Sequence, residues 1–183
     1  MKCLIIYGSQ YGTTKGYAEK FAEMTGFPVT DCEETGDLTD YEWVIHFGGL
    51  YAGGVKGLRQ TVRRLRDGAK IIIVTVGLAD VHDKENTDHI KKCIRKQVPE
   101  TVLERAVIFH LRGGIDYQTL SFKHRAMMTL LYHKAKRLPE EKKTAEVKAM
   151  IETFNQKVDF VDYDSLKQIA ELVKENEERR CGN

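Results

Sequence analysis

The sequence predicts an α/β protein with a doubly wound, five-stranded parallel sheet. Five short apolar runs alternate with segments whose apolar residues recur at helical spacing. Such alternation is typical of parallel strands joined by right-handed crossover helices that cover both faces of a sheet. One run, AKIIIVTVG, is apolar at nearly every position, as expected of a strand that is buried on both sides.

A strand, a helix and a second strand open the chain. The apolar run KCLIIY at 2–7 predicts the first strand, and FPVTDC at 27–32 predicts a shorter second one. Between them, apolar residues at helical spacing predict a helix over 14–25, which Gly26 and Pro28 end.

Three further strands and two helices complete the alternation. The strands are predicted at 43–47, at 69–77 and at 106–111. A helix over 57–67 separates the first two, and a second helix, which ends at Pro99, separates the last two.

Helices alone are expected after the fifth strand. A turn at 113–114 leads into a basic amphipathic segment at 120–137, and helical stripes follow at 147–154 and 163–173. These are extra helices beyond a five-stranded α/β unit.

Length and composition indicate one globular domain. The chain has 183 residues, is 42% hydrophobic and carries a formal net charge of +2, which argues against disorder and gives no indication of a nucleic-acid partner. We expect a single domain over 1–178 and a frayed tail at 179–183. The first apolar run is too short for a signal peptide or a membrane span, so we expect a cytoplasmic protein.

The charge is concentrated after the fifth strand. Residues 112–148 contain nine Lys or Arg and four Asp or Glu. A solvated helix face explains this, and so does a surface for an acidic partner or for anionic lipid. Peripheral membrane contact through 120–137 and a dimer built on the extra helices are both expectations of this kind.

The loop after the first strand has the composition of a phosphate site. Hydroxyls and a glycine lie between a strand and a helix start, where backbone amides and the helix dipole favour an anion. The lysine-containing GxxxxGK[ST] loop and the dinucleotide GxGxxG fingerprint are both missing from the sequence. A simple helix cap remains the alternative. The candidate phosphate ligands are Ser9, Gln10, Tyr11, Gly12, Thr13 and Thr14.

Two more loops belong at the same edge of the predicted sheet. HFGGLYAGG follows the third strand and GLADVHD follows the fourth. Glycines allow the backbone to approach a flat ligand, and Tyr51 is placed to lie against a ring. A flexible turn would also explain HFGGLYAGG. The candidate ring-binding residues are Gly49, Leu50, Tyr51, Ala52, Gly53, Gly77, Leu78 and Ala79.

SQYGTT, YEWVIHFGGLYAGG and the five-strand alternation together resemble the flavodoxin family over roughly residues 1–112. The resemblance implies strand order 2-1-3-4-5, with FMN as cofactor. It also implies that the first loop holds the FMN phosphate and that the other two loops enclose the ring. The family pattern T-x-T-G-x-T is matched by Ser9, Gly12 and Thr14, with Tyr11 in place of the middle threonine.

The segment RGGIDYQTLSFKHRAMMTLL is similar to the flavodoxin-domain branch that includes the quinone-dependent protoporphyrinogen oxidase of bacteria. This similarity implies an FMN-dependent oxidoreductase that moves electrons between a small-molecule substrate and a quinone or protein acceptor. The alternatives are an electron carrier without substrate chemistry and a flavin-free binding module. The carrier reading is opposed by the sequence pI near 8.3, because carrier flavodoxins are usually acidic.

No catalytic side chain and no metal site is predicted. The four cysteines lie far apart without zinc spacing and are expected to be reduced thiols. Five polar residues lie near the candidate loops or on the added helix and are interpreted as surface or structural groups: Asp80, His82, Arg112, His124 and His133. A bound flavin would carry the redox chemistry itself.

Overall fold

The computed structural model describes residues 2–51 and 54–181. The predicted ring ligands Ala52 and Gly53 lie outside the described residues. The strands are β1 (Cys3–Gly8), β2 (Val29–Asp31), β3 (Trp43–Tyr51), β4 (Gly54–Val55), β5 (Lys70–Gly77), β6 (Ala106–Arg112), β7 (Gly114–Asp116) and β8 (Lys157–Asp159). The α-helices are α1 (Thr13–Thr25), α2 (Leu58–Arg64), α3 (Lys84–Arg95), α4 (Glu100–Leu103), α5 (Phe122–Lys136), α6 (Ala145–Glu152) and α7 (Leu166–Cys181).

Five parallel strands form the main sheet in the order β2-β1-β3-β5-β6. Counted without β4, which pairs only with β3, this is the predicted order 2-1-3-4-5, so the predicted fold class is confirmed. The order reverses between β1 and β3, where open α/β sheets bind their ligands beyond the carboxyl ends of the strands.

The sheet is buried on both faces because its strands alternate apolar side chains to each side. In β5, Ile72 and Val74 belong to the core beneath α1 and α7, whereas Ile71 and Ile73 belong to the core beneath α2 and α3. All four side chains are fully buried. The nearly continuous apolar run in the sequence therefore marks a central strand, as predicted.

The third strand is longer than predicted. It continues through the glycines to Tyr51 and folds back, so that Leu50 and Tyr51 pair with Val55 and Gly54. A loop was expected after residue 47. The glycines, which have no side chain, allow the strand to continue and to bend tightly instead. A Cβ on Gly48 would lie 2.1 Å from Val55 Cγ1.

The chain after β6 forms more than helices. The strand β7 pairs antiparallel with β8, so the predicted turn at 113–114 is partly a strand. Around this pair a small core forms from Ile115, Tyr117 and Met128, and Tyr11 and Leu78 from the predicted ligand loops pack against it. We call residues 114–159 the added segment.

The helices of the added segment are only lightly buried. α6 has no fully buried residue, and α5 buries only Met128 and Ala135. Phe122 and Leu130 on α5 are exposed by 89% and 71%. Within the described parts of the chain, no helix is long and apolar enough to cross a bilayer.

A histidine is buried inside the sheet. His46 of β3 has no exposed surface, and its Nε2 donates to the Lys56 carbonyl oxygen at 2.9 Å. Its Nδ1 accepts from Thr61 Oγ1 at 3.0 Å. Both ring nitrogens are thus satisfied in the neutral form, and burial lowers the pKa of His46 from 6.5 to about 4.

We predict that His46 makes stability depend on pH between 4 and 6.5. In that window the unfolded histidine binds a proton and the folded one does not, so acidification favours unfolding by about 3 kcal/mol at pH 4. Urea unfolding at pH 4 to 7 should show this loss in the wild type and in the exposed control His133→Gln. His46→Gln should show a smaller loss, the remainder coming from His110, whose pKa burial also lowers. Parallel curves for wild type and His46→Gln would contradict the prediction.

Candidate functional site

The three predicted ligand loops meet at the carboxyl edge of the sheet. A Cβ on Gly49 would lie 3.0 Å from Thr14 Oγ1, and a Cβ on Gly77 would lie 2.6 Å from Leu50 Cδ1. These close approaches join the first loop to the second and the second to the third. We call the space between them the crevice.

The first loop ends in an uncapped helix N-terminus. Gly12 at the N-cap of α1 has a φ of +96°, and no side chain caps the helix. Ser9 Oγ instead accepts from the Gly12 amide at 3.1 Å, inside the loop. The first turn of α1 contains no acidic residue, so its amides and the helix dipole are left to favour an anion.

The hydroxyls of the first loop point to different partners. Thr13 Oγ1 donates to the Gly114 carbonyl at 2.9 Å, and Tyr11 donates to Met128 Sδ at 3.1 Å. The Thr14 side chain is 5% exposed, and its hydroxyl makes no hydrogen bond with the described residues. Thr14 and the loop amides are therefore the groups best suited to hold a phosphate, whereas Thr13 and Tyr11 tie the loop to the added segment.

A lysine from outside the first loop lies against it, although the loop's own sequence contains no cation. Lys56 Nζ donates to the Ser9 carbonyl at 2.7 Å and to Gln10 Oε1 at 3.2 Å, and it forms an ion pair with Glu33 at 3.5 Å. Lys56 follows β4 and is remote from the first loop in sequence. The glycine at position 8 allows its approach, because a Cβ on Gly8 would lie 2.2 Å from the Lys56 carbonyl oxygen.

The third loop presents two consecutive backbone amides to the crevice. The amides of Leu78 and Ala79 both donate to the carboxylate of Glu146, at 2.8 and 3.0 Å. On the other side, Arg112 donates to the Leu78 carbonyl oxygen and its guanidinium lies 3.7 Å from the Phe160 ring centroid. Arg112, interpreted above as structural, therefore fixes the direction of this peptide unit.

The added segment covers the crevice. Tyr51 donates to Met127 Sδ at 2.9 Å, and Gln10 Nε2 lies 3.0 Å from His124 Nε2. Glu146 of α6 binds the third loop, so each of the three loops contacts α5 or α6. The Glu146 contact could not be predicted from the sequence, because one acidic residue in a charged helix does not stand out from its neighbours.

The other polar candidates do not contribute to the crevice. Asp80 Oδ1 accepts from the His82 amide, and His133 packs on Tyr132. An open cleft of about 710 Å³ lies elsewhere, between α2 and the α3–α4 connection, and has none of the three loops in its lining. In the residues that the structure describes, no cluster of His, Cys, Asp or Glu is arranged to hold a metal ion.

The sequence of the chain matches a known protein family. The family model of the flavodoxin domain matches residues 4–142, which include all three loops and α5. The chain belongs to the flavodoxin domain family. The match supports FMN as the cofactor of the site. No curated protein matches the chain significantly.

Solved flavoproteins are similar to the chain at low identity. Oxidised flavodoxin 1 from Bacillus cereus is 14% identical, with a TM-score of 0.44 over 76% of this chain and 100% of its own. A flavoprotein from Lactobacillus acidophilus in complex with FMN is 11% identical, with a TM-score of 0.44 over 61% and 91%. An FMN-dependent NADH-azoreductase from Bacillus anthracis is 10% identical, with a TM-score of 0.44 over 69% and 93%.

The crevice has the donor groups that FMN requires. The uncapped α1 N-terminus and the Thr14 hydroxyl, on a residue that is 5% exposed, suit a phosphate monoester. The amides of Leu78 and Ala79 already donate to two adjacent oxygens, so they can donate to the electronegative edge of a ring in the same way. The third loop differs from the first in one respect, since its amide pair is already bonded to a carboxylate of the added segment.

We predict that Lys56 supports the phosphate end of the site. Lys56→Met removes charge-assisted hydrogen bonds to the first loop, so FMN affinity should fall about tenfold, a change of ~1.4 kcal/mol. Fluorescence titration measures the affinity, and Lys20→Met on the exposed side of α1 provides the control. Equal affinities of wild type and Lys56→Met would contradict a role for this cation.

Proposed function

We propose that the protein is an FMN-dependent oxidoreductase that moves electrons between a small-molecule substrate and a quinone or protein acceptor. Convergence of three loops at the switch point of a flavodoxin-type sheet carries the proposal, with an uncapped helix N-terminus at one end of the crevice and an amide pair at the other. When bound, FMN supplies the redox chemistry.

The residues of the chain bind and orient the cofactor. The α1 amides and Thr14 receive the phosphate, and Lys56 keeps the first loop in place. Leu78 and Ala79 direct their amides to the ring end, where Arg112 holds the peptide unit from behind. Tyr51 and Tyr11 lie at the crevice between these two ends.

The added segment favours an enzyme over a simple carrier. It contacts all three loops and would shield a bound flavin from bulk water, which limits side reactions at the flavin. An electron carrier works by direct exposure of its flavin edge to a protein partner and has no need of this cover. A carrier without substrate chemistry remains the second candidate, because the three loops would serve it equally well.

We propose a quinone-linked reaction of the protoporphyrinogen-oxidase type as the specific activity. The substrate would lose two electrons and two protons, and the quinone would take up both to become a quinol. Anaerobic reduction of the FMN-loaded protein, followed by mixing with quinones, a porphyrinogen couple or carrier proteins, separates the candidates. Rapid reoxidation by quinone supports the enzyme, and reoxidation by carrier proteins alone supports the carrier.

The cofactor proposal predicts a difference between FMN and riboflavin. Thr14→Val keeps the shape of the buried side chain and removes a hydroxyl, so it should weaken FMN binding about tenfold, as expected for a lost hydrogen bond to a charged group. Riboflavin has no phosphate and should bind both proteins equally. Fluorescence titration with the two flavins measures this, and equal losses would show that Thr14 does not face the phosphate.

Membrane contact through 120–137 is a further part of the proposal. The exposed side chains Phe122 and Leu130 lie on a helix with a basic last turn, a pattern suited to an anionic bilayer that contains quinone. Flotation with anionic vesicles should recover the wild type at low salt. A Phe122→Ser/Leu130→Ser variant should remain unbound, and failure of the wild type to float would contradict the proposal.

A further inference from the structure

A carboxylate of the chain occupies the amide pair at the ring end of the crevice. Glu146, in the first turn of α6, places Oε1 2.8 Å from the Leu78 nitrogen and Oε2 3.0 Å from the Ala79 nitrogen. Both oxygens accept, so the arrangement is bidentate and charge-assisted. Gly77 leaves room for it, because a Cβ there would lie 3.0 Å from both Glu146 oxygens.

Each of the other contacts between the added segment and the crevice is a single hydrogen bond, as between Thr13 and the Gly114 carbonyl oxygen or between Gln10 and His124. Tyr51 and Tyr11 donate to the thioether sulfurs of Met127 and Met128, which are poor acceptors. Tyr117 has its hydroxyl buried in the small core without a hydrogen-bond partner, which destabilises the closed arrangement. Glu146 therefore makes the strongest of these contacts between the helices and the loops.

Opening α6 would expose only partly buried residues, among them Met150, which packs against the small core. None of its residues is fully buried, and it carries the Glu146 contact at its N-terminal end. Segments with few buried contacts open at a small fraction of the global free energy of unfolding. The remainder of the sheet does not depend on α6, because both main cores form without it.

We propose that α5 and α6 form a lid on the crevice and that Glu146 is its latch, holding the amides of Leu78 and Ala79 until a planar ligand with two adjacent acceptor atoms displaces it. The inference rests on the proposed function in that the ligand is the ring of FMN. The cofactor competes with a residue of the chain for one pair of donors, so only the fraction of molecules with an open lid binds it.

Glu146→Gln tests the latch, with Glu152→Gln as the matched control. The glutamine offers one acceptor and turns an N–H toward the second amide, whereas Glu152 lies exposed on the same helix. Amide hydrogen exchange without flavin should be at least tenfold faster at Leu78 and Ala79 in Glu146→Gln and unchanged in Glu152→Gln. Stopped-flow FMN binding should also be severalfold faster and equilibrium affinity severalfold higher in Glu146→Gln alone.

The two readouts separate failure of the latch from failure of the proposed function. Unchanged exchange at both amides in Glu146→Gln overturns the latch. Faster exchange without a gain in FMN affinity overturns the competition, because Glu146 would then be a fixed part of the site. If exchange is faster but neither wild type nor variant binds FMN, the cofactor proposal fails while the latch contact itself stands.

A second variant keeps the test valid if Glu146→Gln does not fold. Glu146→Asp retains the charge and shortens the side chain by one methylene, so it cannot reach both amides from the same helix position. It should give the same direction of change in exchange and in FMN association. Wild-type behaviour of Glu146→Asp in both measurements would contradict the latch.

Discussion

Parallel pairing in register brings the carboxyl ends of β1, β3 and β5 to one line, and the site depends on this. Gly8 pairs with Gly48, and Gly48 pairs with Thr75 in the next strand. Because Gly8 and Gly48 carry no side chain, the backbones that follow can approach one another closely. The loops at 9–14, 49–51 and 77–79 therefore converge on a single crevice, where long-range side-chain bonds such as those of Lys56 and Arg112 hold them further in place.

The two ends of the crevice differ in whether their backbone amides are already bonded to a carboxylate of the chain. At the first loop, the amides of α1 and the ammonium group of Lys56 create a positive environment that is unfilled by any acidic residue of the first helical turn. At the third loop, the amide pair of Leu78 and Ala79 is already bonded to the carboxylate of Glu146. A phosphate can thus anchor at one end before the ring displaces a carboxylate at the other.

The sequence was sufficient for the elements that depend on local pattern. Apolar runs and helix ends predicted the five parallel strands, and the spacing of Ser9, Gly12 and Thr14 predicted the first loop. It was not sufficient for contacts between distant residues. Lys56 meets Gln10 across 46 residues, and Glu146 meets Leu78 across 68. Lys56 and Glu146 are charged residues of a type common on protein surfaces. The crossover connections and the added segment bring them to the crevice, and no local sequence pattern indicates this.

Backbone NMR during flavin titration tests the location and the polarity of the site together. Riboflavin should shift the amide resonances of Leu78 and Ala79, and FMN should shift these and, in addition, those of Gly12, Thr13 and Thr14. The difference between the two ligands would place the phosphate at the N-terminus of α1. Shifts confined to the cleft between α2 and the α3–α4 connection would contradict the account.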